Sequence, residues 1–287
     1  MSILPNMKLS NKWKKWLGIA GFWLILTVVL VVSFFPAVWL LLTSFKPEGE
    51  LFKLPITYLP QKWTLQNYID VFTRNPFGRF MLNSVIVTLC ATALNVFVAL
   101  MASYALARLR IPGKRLIMGG ILIFSMLPTV ALIIPIFGLT RSMGWLNTYR
   151  GLVGPYTTFQ LPLSIMILTS FFKQIPKELE EAALIDGATP FQTMFKVVAP
   201  LAAPGLVSAG ILVAIMVWND FLIAMTLTTQ VQMRTLPVGI VLYPGEFAFP
   251  WGTVSAASTL AVIPITLLIL FAQRWIIRGL TAGAVKG

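Results

Sequence analysis

The sequence predicts an all-α membrane protein: six transmembrane helices, both termini in the cytoplasm, and one helix–turn–helix loop outside the membrane on that same side. Three observations carry this. Charged residues are only 11% of the 287 positions, where soluble domains carry about 25%. The apolar residues are blocked rather than scattered, so that 17–42 runs without a single charge and is longer than the about 20 residues a helix needs to cross a bilayer. Lys and Arg lie between the blocks and are unevenly shared between the two sides.

The spans fall at 17–42, 82–106, 116–139, 151–172, 204–228 and 254–277. Backbone polar groups in lipid must pair within their own segment, so each block is a helix. Residues 1–16 form a cytoplasmic N-terminus whose Lys8, Lys12, Lys14 and Lys15 precede the first block. That block is too long for the apolar core of a signal peptide and lacks a small-residue cleavage site, which makes it an uncleaved span. With the N-terminus inside, fourteen Lys and Arg fall on the cytoplasmic side and eight on the other. The short loop 107–115 decides the orientation, with Arg108, Arg110, Lys114 and Arg115 in nine residues. A transmembrane domain thus covers 17–277, the loop 173–203 is cytoplasmic, and 278–287 is a cytoplasmic tail.

Two outer segments are long. Residues 43–80 hold Tyr58, Trp63, Tyr68 and Phe72, and residues 229–253 hold Tyr243, Phe247, Phe249 and Trp251. Interfacial aromatic belts and docking of an outside partner both account for them. Span two carries Ser84, Thr88, Thr92, Asn95, Ala99 and Ala102 at three- and four-residue steps, a face suited to close helix packing. Pro128, Pro135, Pro155 and Pro162 mark kinks in spans three and four.

Several classes of function are excluded or disfavoured. The net charge of +13 comes from cations flanking apolar blocks, so it reports topology and not nucleic-acid binding. There is no histidine and one cysteine, Cys90, which removes the commonest general base, intrachain disulfides and cysteine metal clusters. No G-x-x-x-x-G-K-[ST] loop is present to cradle nucleotide phosphates. Asp220 is the one carboxylate within a span, so a proton-coupled carboxylate pair is missing as well. With Asn219 it either lines a pathway in the outer half of the bilayer or bonds one helix to another. Trp218 beside it suits packing or stacking against a sugar ring.

The loop concentrates what acid there is. Glu178, Glu180, Glu181 and Asp186 are four of the nine acidic residues and lie within nine positions. Pro176 suits a first helical turn, and the glutamates complement its dipole. Leu179, Ala182 and Ala183 make an apolar face, and Gly187 ends the helix in a left-handed cap. Thr189-Pro190-Phe191-Gln192 starts a second helix with a capping box. Phe191, Met194, Phe195 and Val198 form its stripe, and Pro200 and Pro204 break it from span five. Helices that lie on headgroups are usually basic, so an acidic one points to docking on a cationic protein surface.

This loop resembles the EAA motif of ABC importer permeases, E-A-A, three residues, G, nine residues, I-x-L-P. Here it reads Glu181-Ala182-Ala183, three residues, Gly187, nine residues, Val197-Val198-Ala199-Pro200, with Val and Ala in place of Ile and Leu. The stretches "NYIDVF", "MLNSVIVT", "ASYALARLRIPGKR", "LPTVALIIPIFGL", "WNDF" and "TLPVGI" are similar to the carbohydrate-uptake branch, and the end "RGLTAGAVKG" to the maltose-type second membrane subunit.

The resemblance implies the type I importer permease fold. It also implies a chain that does no chemistry and forms half of a translocation pathway in a bacterial or archaeal plasma (inner) membrane. Expected partners are two ATPase subunits, a homologous second permease, an extracytoplasmic solute-binding protein, a sugar-like substrate and membrane lipid. No cofactor belongs to this chain; ATP and Mg sit on the ATPases. Glu178, Glu181, Ala182, Ala183, Asp186, Gly187 and Phe191 are the expected ATPase-coupling residues, and Thr281, Gly283 and Lys286 an expected tail contact to the ATPase, unless the tail is merely a flexible end. A secondary transporter or channel working without an ATPase is the alternative reading, and the identity of the solute is not legible.

Overall fold

The computed structural model describes residues 11–242 and 249–284, so Lys8, Tyr243, Phe247 and Lys286 lie outside the described residues. Twelve helices organise the described chain: α1 (Asn11–Ser44), α2 (Gln66–Thr73), α3 (Phe77–Arg108), α4 (Lys114–Met126), α5 (Thr129–Ser142), α6 (Tyr149–Gln174), α7 (Glu178–Ile185), α8 (Pro190–Leu201), α9 (Ala203–Asn219), α10 (Leu222–Leu227), α11 (Leu236–Val241) and α12 (Trp251–Ala284), with single turns between them. Helices α1, α3, α6 and α12 are long and apolar enough to cross a membrane alone, and the number reaches six when each of two bent helix pairs is taken as one span.

The expected six spans therefore stand, with corrections. The third block is not one helix: α4 and α5 meet at 98° across Leu127 and Pro128. Leu127 is extended (ψ 129°), as a residue before proline prefers, and Pro128 opens the next helix. Pro135, Pro155 and Pro162 stay inside continuous helices. The fifth block ends at Asn219, and its last residues form the separate helix α10. The sixth continues beyond 277 to Ala284, so residues 278–284, expected as a tail, prolong the helix.

The polar face of span two is a packing face. Helix α3 lies against α6 and α9, with Ala91, Asn95, Ala99 and Ser103 buried in the seam. Asn95 Nδ2 donates to the Thr157 carbonyl at 2.9 Å, and the Ser164 hydroxyl donates to Asn95 Oδ1 at 2.5 Å. At the outer end Asn83 donates to the Gln232 and Arg234 carbonyls and accepts from the Tyr149 hydroxyl at 2.8 Å, while the Leu236 amide donates to Ser84 Oγ. Small and amide side chains let the backbones approach and satisfy each other without water.

Apolar packing forms three layers along these helices. Phe77, Phe80, Trp218, Leu236 and Ala256 fill the outer one; Val87, Leu152, Tyr156, Val213 and Leu227 the middle; Leu100, Leu168, Phe172, Val198 and Ala202 the cytoplasmic end. Helix α1 stands apart. It leans on α12 and is otherwise exposed along its apolar length.

The outer segment after α1 is built around a buried carboxylate. Glu50 accepts from the Thr57 hydroxyl (2.8 Å) and from the amides of Gln61 (2.9 Å) and Lys62 (3.4 Å). The Gln61 amide first, against the opposing effect of burial, then Thr57, Lys62 and the nearby Lys46 hold its carboxyl below the ordinary carboxylate value. Lys46 itself binds the Thr57 carbonyl and stands 4.7 Å from the centre of the Trp39 ring.

Candidate functional site

The cytoplasmic loop begins where α6 must stop. Ile175 is extended (ψ 126°) before Pro176, and α7 starts only after Lys177, so Pro176 precedes the helix instead of lying in its first turn. Glu178, Glu180 and Glu181 occupy the first turn, where their charge complements the helix dipole. The helix ends in a Schellman motif: the Ala188 amide donates to the Ala183 carbonyl (3.0 Å) and the Gly187 amide to the Leu184 carbonyl (3.1 Å). Gly187 takes φ +85°, the left-handed region that costs a side-chain-bearing residue most.

The second half starts as its sequence specifies. Thr189 Oγ1 accepts from the Gln192 amide (3.2 Å) and the Thr189 amide donates to Gln192 Oε1 (2.9 Å), with Pro190 at the first helical position. The helix then widens into a π-turn over Met194–Val198 and bends by 78° at Ala202 into α9. Met194 is buried, Val198 belongs to the cytoplasmic layer, and Phe195 stacks on Phe97 of α3 with ring centres 6.4 Å apart. The loop's second helix is thus an inward-packed extension of span five.

The first helix presents a different surface. Glu178, Glu181, Ala182 and Ile185 are spaced by three and four residues, share one face and are all exposed, Ile185 to 86%. Asp186, Gly187 and Phe191 are exposed at its end, whereas Ala183 is half-buried. Of the residues expected to couple to a partner, all but Ala183 therefore lie open, and Ile185, not singled out in the sequence, completes their stripe. Its spacing from Ala182 and Glu181 is the signal that identifies it.

Glu180 is the exception among the acids. It points back into the protein, where its Oε1 meets Arg108 Nε at 2.5 Å and its Oε2 accepts from the Tyr104 hydroxyl at 3.1 Å. Arg108 Nη2 also donates to the Ile175 carbonyl at 2.7 Å. Sequence reading placed Arg108 only as a topology-setting cation.

The expected pathway residues separate. Trp218 is buried in the outer layer and its Nε1 donates to the Ala261 carbonyl at 3.2 Å, a packing role. Asp220 is not within a helix but at the break after α9. Its Oδ1 accepts from the Tyr156 hydroxyl (2.8 Å) and from the Ile223 and Ala224 amides (3.0 and 3.4 Å), so it holds α10 and α6 together. Asn219 alone is exposed, its amide turned back to the Ile215 carbonyl. Thr281 and Gly283 lie in the last turns of α12, their side chains outside the described set.

Comparisons with known proteins show what the chain as a whole is similar to. Residues 95–282 match the family described as binding-protein-dependent transport system inner membrane component. The sulfoquinovosyl glycerol transport system permease protein of Agrobacterium fabrum is 45% identical over 91% of this chain and 92% of its own. The trehalose transport system permease protein of Mycobacterium tuberculosis is 42% identical over 93% and 98%. The trehalose/maltose transport system permease protein of Thermococcus litoralis is 39% identical over 91% and 94%. Among solved structures, a bacterial ABC transporter involved in the import of alginate aligns with a TM-score of 0.81 at 22% identity, over 93% of this chain and 99% of that one, a likeness of fold.

Proposed function

The chain belongs to the family of binding-protein-dependent transport system inner membrane components, and from that premise we propose how it works and what it carries. It is the multi-pass permease subunit of an ABC importer in the inner membrane, a transport subunit and not an enzyme. Its solute is a sugar or sugar-like molecule, a reading supported by relatives named for trehalose, maltose and sulfoquinovosyl glycerol.

In this reading the chain encloses a pathway together with a second, homologous permease. An extracytoplasmic binding protein delivers the solute. Two ATPase subunits, which carry ATP and Mg, receive the outward face of α7. The single observation behind the coupling assignment is that face: Glu178, Glu181, Ala182 and Ile185 form an exposed stripe of acid and apolar character on a helix outside the membrane. An acidic stripe with a large apolar residue fits a cleft that is cationic at its rim and apolar inside. Ala182 lets the two surfaces come close.

The test is purification of the tagged chain from its own membranes in mild detergent, with mass identification of what accompanies it. An ATPase, a second permease and a binding protein are expected, and the ligand of that binding protein identifies the solute. A stable assembly of this chain alone, with no ATPase after crosslinking at Glu181, overturns the reading.

A further inference from the structure

We propose that Arg108, Tyr104 and Glu180 form a fixed joint that converts movement of the cytoplasmic loop into movement of spans two and four. The proposal rests on the transport reading above and adds to it the point at which force enters the membrane domain.

The two halves of the loop are held differently. The second half packs through apolar groups, Phe195 on Phe97 and Val198 in the cytoplasmic layer. Such contacts are non-directional and permit sliding. The first half is held by polar contacts: the Arg108–Glu180 ion pair and the hydrogen bonds of the Tyr104 hydroxyl and of Arg108 Nη2. The outward stripe of α7 leaves Glu180 on the opposite face of the helix. There its carboxylate is enclosed, with both oxygens engaged, one by a guanidinium and one by a phenol. The ion pair is enclosed too, the Arg108 and Glu180 side chains being 7% and 11% exposed.

Arg108 is the last residue of α3, and its second bond is to the carbonyl of Ile175, the residue that caps α6. One planar guanidinium therefore joins three elements: the end of span two, the end of span four and the first helix of the loop. A fork of donors fixed in one plane holds orientation as well as distance, which a lysine ammonium does not. Gly187 lies just beyond the C-terminal end of α7, with open space around the position a Cβ would take. A push on the outward stripe thus meets a pivot at Gly187 and a rigid attachment at Arg108. Arg108, Tyr104 and Glu180 are positioning residues: they touch neither solute nor nucleotide.

The experiment uses the whole transporter in proteoliposomes and counts ATP hydrolysed per solute imported. It compares the wild type with Glu180→Gln, Arg108→Lys and the reciprocal double variant Arg108→Glu with Glu180→Arg. In Glu180→Gln the ATPase subunits stay bound at wild-type stoichiometry and hydrolysis continues, while import per ATP falls by about tenfold. Arg108→Lys keeps the charge but not the fork and falls in between. The reciprocal variant recovers part of the loss, the Ile175 bond remaining absent. Three results would overturn the joint: undiminished import in Glu180→Gln, loss of import and hydrolysis in strict proportion to assembled complex, or a reciprocal variant no better than either single one. Failure of the transport reading shows itself elsewhere, as a wild-type chain that brings down no ATPase.

Discussion

The Tyr156 hydroxyl lies 2.8 Å from Asp220 Oδ1, and the same oxygen receives the amides of Ile223 and Ala224 at the start of α10. The one carboxylate inside the apolar blocks thus serves the backbone of its own chain. Replacing it with leucine strands a phenol and two amides away from water. Asp220→Leu is expected to lower stability by about 1–3 kcal/mol or more, and Asp220→Asn, which keeps an acceptor oxygen, by about 1 kcal/mol or less. Thermal unfolding in detergent separates the two. Equal melting of both variants would show that the bonds contribute nothing.

Reversing charge on the outward stripe strikes the docking surface without touching the core. Glu181 is exposed and Gly187 has φ +85°, far from the value near −65° that a proline ring imposes. Glu181→Lys and Gly187→Pro are expected to abolish solute uptake while the protein reaches the membrane in normal amount. Uptake assays beside immunodetection check this, and normal uptake in both variants removes the docking assignment.

Gly239 and Gly154 make a contrasting pair. A Cβ on Gly239 would stand 2.2 Å from Cδ2 of Phe80, which is itself buried, whereas Gly154 has nothing within 4 Å. Gly239→Ala is expected to cost about 1–3 kcal/mol through displacement of the ring. Gly154→Ala, in the continuous helix α6, should be neutral or gain up to about 1 kcal/mol from reduced chain entropy. Melting temperatures of opposite sign support the packing described, and matching losses contradict it.

Glu50 gives the outer segment a pH dependence with a definite sign. Its carboxyl is held below the ordinary 4.5, chiefly by the Gln61 amide. The folded protein therefore favours the charged form, and the gain is complete above the unfolded value and lost as pH falls through the lower folded one. The stability difference between wild type and Glu50→Gln should be constant near neutrality and shrink as the solution is acidified below about pH 4.5. A difference that grows on acidification would reverse the assignment.

The apolar blocks were legible because lipid forces every crossing segment to be long, uncharged and helical. The loop's punctuation was legible for a local reason: Gly187, Thr189, Pro190 and Gln192 each act within four residues of their partners. What escaped is non-local. Pro128 breaks a span while Pro135, seven residues on, stays inside a helix, and the apolar residues around both look alike in the sequence. Glu180 looked like its neighbours Glu178 and Glu181 until the fold brought Arg108, 72 positions away in the chain, beside it. Asp220 read as a charge inside a helix because nothing nearby in sequence announces the break that its own carboxylate caps.

The pairing of α1 with α12 bears on how the molecule is made. Translation delivers α1 long before α12, and between the two lie the other ten of the twelve helices. Until the last span emerges from the ribosome, only the outer end of the first has partners within its own chain, through Trp39 and Ser44, and its apolar length lacks the helix it packs against. Closure of the molecule is then a late, long-range event, slow for the reason that distant pairings are slow. Nascent chains that stall before Trp251 leave the apolar length of α1 without the helix that covers it.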